Sequence, residues 1–128
     1  MQSEGRQVHG EETLDINTTG TFLYARATAR QTDDRTGVRR RGNMMFVASY
    51  SGHRVNSPQP QIAYHVSEAA LLMLEGCSAA EWARYGIRVN SIPPGQMETI
   101  LNEGDGMAEG RAMWADAPPT GRMRSPSE

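Results

Sequence analysis

The chain has 128 residues, of which 38% are apolar, and a formal net charge of -2. That is enough for one domain. A pI near 5.9 and a mean hydropathy of -0.60 point away from nucleic acid or an anionic membrane as main partner. Cys77 is the single cysteine, which excludes a disulfide framework and a cysteine-rich metal site.

No run approaches the ~20 apolar residues of a membrane helix, and the polar start at Met1 has no apolar signal core. The expected setting is soluble and cytoplasmic. Residues 1–10 are polar and expected to be loose. From Glu11 to about Gln31 the pattern is helical. Leu14, Phe22, Ala25 and Ala29 lie near one face, with Ile16, Leu23 and Ala27 beside it. Thr18, Thr19 and Gly20 interrupt that segment with poor helix formers, Gly20 alone costing about 1 kcal/mol relative to Ala. A bend or a close backbone approach is expected there.

Residues 31–42 form a charged connection containing Arg39, Arg40 and Arg41, read as a solvated loop. Met44 to Ala48 is a short continuous apolar run, the pattern of a strand buried on both faces of a parallel sheet. A loop from Gly52 to Gln61 carries Pro58 and Pro60. A helix is predicted from about Ile62 to Tyr85. Val66, Ala69 or Ala70, Met73, Cys77, Ala80 and Trp82 fall mostly on one side of it, and Glu68, Glu75, Glu81 and Arg84 mostly elsewhere. Gly86 stops it, and Ile87 to Ile92 reads as a second strand, joined to the first by a helix long enough for a parallel crossover. The tail from Pro118 to Glu128 has few apolar residues and is expected to be loose.

The ordered pieces Asp15-Ile-Asn-Thr-Thr-Gly20, Val47-Ala-Ser-Tyr-Ser-Gly52, Tyr64-x-x-Ser67, Glu81 to Ser91 and Pro94-Gly95 together resemble the short-chain dehydrogenase/reductases. The loop from Ser51 to Gln61 resembles the fungal branch of mannitol 2-dehydrogenases, D-arabinitol dehydrogenases and sorbose reductases. The resemblance runs from about Leu14 to Glu128. It includes Trp114 and Gly121 to Met123, in the segment that lies over the substrate in that family.

The resemblance implies an α/β fold, here an incomplete Rossmann-type parallel sheet with flanking helices, as one partial domain over residues 1–128. It also implies NADP(H) or NAD(H) as cofactor and hydride transfer between a hydroxyl and a carbonyl of a polyol or ketose. Position by position, Asn17 is similar to the helix asparagine that supports a relay water. Ser49 is similar to the serine that steadies the substrate oxygen, with Ser51 as its rival, and Tyr64 to the catalytic acid/base. Tyr64, Pro94, Gly95, Met97 and Thr99 match positions that face the cofactor. The two helices match elements that often form the subunit contact, so self-association or pairing with a full-length relative is expected.

Two departures stand out. The family's lysine, four residues after the tyrosine, is Glu68 here. There is also no glycine-rich turn after a strand to hold a pyrophosphate. An ordinary phenol has a pKa of about 10, and a lysine one helical turn away favours its ionised form. A glutamate in that place acts in the opposite sense: two unit charges ~4 Å apart at an effective dielectric of ~20 interact by about 4 kcal/mol. Each ~1.4 kcal/mol is a factor of ten in rate. Activity is therefore expected to be weak or absent, and the runner-up reading is a non-catalytic interaction module. His9, His53 and His65 show no metal-ligand spacing and read as solvated or turn histidines. Cys77 reads as a small core residue, and Met44, Met45, Met73 and Met97 as core or lid.

Overall fold

The computed structural model describes residues 10–34, 41–56, 60–100, 108–116, 118 and 120–127. Residues 1–9 of the expected loose N-terminus, Arg39, Arg40 and Pro58 lie outside the described residues, and Gly10 is already helical. The chain divides into two compact units, Met1–Pro93 and Pro94–Glu128.

The first unit opens on a helical stretch that widens into a π turn at Asp15–Gly20 and continues as helix α1, Thr21–Asp34. The widening falls on the Thr18-Thr19-Gly20 run, where propensity is lowest. Ala25 and Ala29 face inward and are buried, whereas Phe22, Leu23 and Ile16 stay exposed. The small residues let α1 lie close to the sheet.

Strand β1 is Gly42–Val47, and strand β2 is Ile87–Ile92. They pair in parallel, with Gly42 opposite Ile87 and Val47 opposite Ile92. The crossover between them is helix α2, Ile62–Trp82, followed by a short 3-10 turn at Ala83–Tyr85. Gly86 ends that turn at φ 75°, the left-handed region where a Cβ is penalised. The predicted helix end and the second strand thus stand where Gly86 sets them.

The core is one-sided. Ala25, Ala29, Phe46, Ile87 and Val89 form its buried centre, with Met44, Leu74, Ala79, Trp82 and Tyr85 packed around it. Val47 is 72% exposed and Met45 and Ile92 are also open. The expectation that β1 is buried on both faces is therefore corrected. Among the described residues, helices cover one face of the sheet, so inward and outward side chains alternate along β1.

Helix α2 corrects a second expectation. Its buried residues are Ser67, Glu68, Leu71 and Ser78. Val66 and Met73, from the predicted apolar side, are 52% and 68% exposed, and Cys77 is exposed rather than a core residue. Polar side chains can occupy the inner face because they find partners there: Ser91 Oγ on β2 donates to Glu75 Oε2 at 2.7 Å.

In the second unit, helix α3 spans Ala108–Asp116 and buries Trp114. Met97 and Arg124 form an isolated parallel bridge, with Glu98 N–H donating to Arg124 O at 2.8 Å and Arg124 N–H to Gln96 O at 3.1 Å. Met123 is buried. The expectation of a loose tail does not hold at these two residues, because backbone pairing ties them down where side-chain hydrophobicity is scarce. No helix of the described residues is long and apolar enough to cross a membrane.

Candidate functional site

The serine turn follows β1 directly. Ser49 is extended and buried, and its Oγ accepts the Ser51 N–H at 3.1 Å, capping a single 3-10 turn over Tyr50–Gly52. Ser51 is buried as well. The two serines flagged as rivals are therefore parts of one capped turn, and Ser49 supplies the capping oxygen. Gly52 then presses on α2. A Cβ built there would meet the Glu68 carbonyl carbon and oxygen at 2.8 Å and Leu72 Cδ1 at 2.9 Å. Only a residue without a side chain lets the serine turn lie this close to the helix that carries Tyr64.

On α2 the first turns are tied together through Ser67. It is fully buried, donates from Oγ to the Tyr64 carbonyl at 2.9 Å, and accepts from Asn17 Nδ2 at 3.1 Å. The same Asn17 nitrogen donates to Glu68 Oε1 at 3.1 Å. Asn17 sits in the π turn, and its side chain reaches across to α2. The structure thus brings Asn17, Ser67 and the Tyr64 backbone into one hydrogen-bonded set. Ser67 was visible in the sequence only as a letter of the Tyr64-x-x-Ser67 motif. A serine that back-bonds to the carbonyl three residues earlier is the signal that marks it.

Glu68 is turned inward. It is 5% exposed, and its Oε2 has no hydrogen-bond partner among the described residues. Burial pushes its carboxyl above the ordinary carboxylate value, because desolvation penalises the charged form. An ionised Glu68 opposes ionisation of Tyr64, and burial weakens that opposition by favouring the protonated carboxyl, which carries no charge.

His65, read as a solvated or turn histidine, is half-buried and holds two backbone groups. Asn56 N–H donates to its Nε2 at 2.8 Å, and its Nδ1 lies 2.7 Å from Gln61 O. Its ring meets that of Tyr64 edge-on, with centroids 6.3 Å apart. Pro94, Gly95, Met97 and Thr99 belong to the second unit. Gly95 is exposed and the other three are half-buried. The first unit brings the serine turn and the tyrosine helix into contact, and Asn17 reaches that helix from the π turn.

The fit to a nicotinamide cofactor can be tested at Glu68. The family's lysine is a cation that donates to ribose hydroxyls. Here the corresponding side chain is a buried acceptor already bonded to Asn17. The residues present do not fit the cofactor at this point.

A family model described as Enoyl-(Acyl carrier protein) reductase matches residues 5–128. The chain is 34% identical over 122 residues to the D-arabinitol 2-dehydrogenase [ribulose-forming] of Candida albicans (strain WO-1), covering 94% of this chain and 42% of the relative. It is 38% identical over 116 residues to the galactitol 2-dehydrogenase of Rhizobium johnstonii, covering 90% of this chain and 44% of the relative. The solved structure of a short-chain type dehydrogenase/reductase from Mycobacterium marinum superposes with a TM-score of 0.82 at 38% identity, over 91% of this chain and 44% of that one. The chain thus spans less than half the length of these relatives. With a parallel sheet, a crossover helix and these matches in agreement, the chain belongs to the short-chain dehydrogenase/reductase family.

Proposed function

We propose that this chain carries the substrate side of a site for the nicotinamide-linked interconversion of a sugar alcohol and a ketose, and that Glu68 leaves that reaction weak or absent. The observation that carries the proposal is the packing of the Ser49 turn against the helix of Tyr64, with Gly52 as the point of contact. The substrate class is carried over from the polyol dehydrogenases that the chain resembles. In that chemistry the hydride would come from, or pass to, a nicotinamide cofactor, to which Glu68 offers no cation.

The chain's own residues have narrower tasks. Ser49 Oγ orients the reacting oxygen of the substrate. Tyr64, as a neutral phenol, donates its proton to that oxygen in the reduction direction and takes it back in oxidation. Asn17 and Ser67 hold the backbone turn from which Tyr64 projects. Glu68 supplies no cation to favour the phenolate, so the oxidation direction suffers most.

The test is a fluorescence titration of NADPH into the purified chain, followed by turnover with fructose or sorbose. The wild-type chain is expected to give neither saturable binding nor measurable turnover. Glu68→Lys is expected to gain binding, and Tyr64→Phe in that background to abolish any turnover gained. Tight NADPH binding with turnover by the wild-type chain would overturn the assigned effect of Glu68.

A second reading is favoured by the exposure of Val66, Met73 and Cys77 along one side of α2. In that reading the chain is a non-catalytic interaction module, and this side is its contact surface.

A further inference from the structure

The uncovered face of the sheet is divided along its length. Its outward side chains are Asn43, Met45 and Val47 on β1 and Arg88, Asn90 and Ile92 on β2, all exposed. The strand ends are apolar, at Val47 and Ile92. The strand starts carry Asn43 and Arg88, which the register sets opposite one another. Arg41, two residues before Asn43, joins them on this face by alternation. Its stem lies beside Gly86, where an added Cβ would meet Arg41 Cγ at 3.9 Å. Arg41, Asn43 and Arg88, with Gly42 and Gly86, line an open cavity of about 530 Å³. None of its described lining residues is acidic, in a chain with 15 acidic and 13 basic side chains. Among the described residues, neither guanidinium has an ion pair or a hydrogen-bond acceptor.

Each guanidinium offers a planar fork of N–H donors and a full positive charge, and the Asn43 amide adds further N–H donors. One strand spacing, ~4.8 Å, and two residues of strand, ~3.3 Å each, separate Arg41 from Arg88 at the backbone, a span that two long side chains bring onto one anion. Three donor groups and two positive charges match the terminal oxygens of a phosphate monoester, whose charge is about -1.5 to -2 at neutral pH. A carboxylate brings fewer oxygens and a smaller charge. The cavity lies in the size range of small-ligand sites, ~300–1,000 Å³, and exceeds what a phosphate group alone fills. From this lining we infer that Arg41, Asn43 and Arg88 form a binding site for the phosphate group of a small phosphate ester. Six strand residues at ~3.3 Å each put about 20 Å between this site and the serine turn. The ligand therefore binds apart from Ser49 and Tyr64, and the site does not rest on the proposed reaction.

The test is an NMR titration of the isotope-labelled full chain with inorganic phosphate and with a hexose phosphate, at constant ionic strength. Its amide signals are followed at about pH 7.5, where both probes are mostly dianionic. The Gly42, Asn43, Gly86 and Arg88 amides are expected to shift and saturate, while those of Ser51 and Tyr64 stay in place. The hexose phosphate is expected to bind at least about threefold tighter, since free phosphate leaves most of the cavity unfilled. Equal affinities would remove the ester as the ligand and leave free phosphate. Arg41→Gln and Arg88→Gln are each expected to weaken binding about tenfold, and Arg26→Gln on α1 to leave it unchanged. Arg88→Lys keeps the charge without the fork, and its affinity is expected to fall between those of Arg88→Gln and the wild-type chain. Shifts that do not saturate, or an affinity that the double variant Arg41→Gln/Arg88→Gln retains, would overturn the inference.

Discussion

Glu68 stands with one oxygen bonded to Asn17 and the other without a partner, and its burial raises the carboxyl above its ordinary value of 4.5. The sign of the resulting pH dependence follows from linkage. A group whose folded-state value is raised binds a proton in the folded chain that the unfolded chain has already released. Its stabilising contribution is complete below 4.5 and is lost as pH rises from there through the raised folded value. Glu68→Gln cannot ionise, so its stability lacks that fall. Urea midpoints across about pH 4 to 8 should show the wild-type chain losing ground to Glu68→Gln as pH rises, with a gap of about 1–3 kcal/mol at neutral pH. Parallel curves would refute it. Asn17→Ala removes the shared donor and leaves the buried Glu68 Oε1 unmatched. It should cost about 1–3 kcal/mol in the same unfolding assay. Asn17→Asp should cost more at neutral pH and recover in acid, since it sets acceptor against acceptor until one carboxyl is protonated.

Elements were legible in the sequence wherever local chemistry sets them. Gly86 ended the 3-10 turn that follows α2, where its left-handed φ suits a glycine, and the Ile87–Ile92 strand followed. The Thr18-Thr19-Gly20 run announced a defect that the structure resolves as a π turn. The buried side of α2 was not legible. A one-dimensional pattern ranks Val66 and Met73 above Ser67 and Glu68, yet it is the polar pair that lies inside. Their partner, Asn17, is 50 residues away in the chain, and only the folded arrangement supplies it. The candidate site divides in the same way: the order of Ser49 and Tyr64 was readable, whereas the roles of His65 and Ser67 depend on backbone groups that the pattern does not locate. Gly52 belongs to this scale, since it sets the distance between the serine turn and α2. Gly52→Ala puts a methyl against backbone atoms of Glu68 at 2.8 Å, which cannot rotate away. The turn must shift, at a cost of about 1–3 kcal/mol. In the Glu68→Lys background, turnover should fall as well. An unfolding midpoint equal to that of the wild-type chain would show that the turn moves freely.

In the first unit as a whole, apolar surface lies on both sides of the helix layer. The inner side of α2 meets the sheet, while the outer side carries Val66, Met73 and Cys77 in the open. With Ala69 and Ala80 this stripe runs about 21 Å along the helix at ~1.5 Å per residue. The opposite sheet face exposes Met45, Val47 and Ile92. Parallel sheets are normally covered on both faces, and exposed apolar patches of this kind mark contact surfaces. The α2 stripe is the better candidate for self-association, because a helix pairs with its own copy by packing side chains alone, whereas a sheet face that also carries Asn43, Arg88 and Asn90 must find partners for polar groups. Two copies meeting through α2 bury Met73 twice, and a buried Met contributes about 1.5–3 kcal/mol. Size-exclusion chromatography with light scattering should therefore show a dimer whose dissociation constant rises at least about tenfold with Met73→Glu. Val47→Lys, on the sheet face, should leave it unchanged. If Val47→Lys dissociates the dimer and Met73→Glu does not, the sheet face is the contact surface, and a wild-type chain that is strictly monomeric and ignores full-length relatives removes the interaction reading altogether.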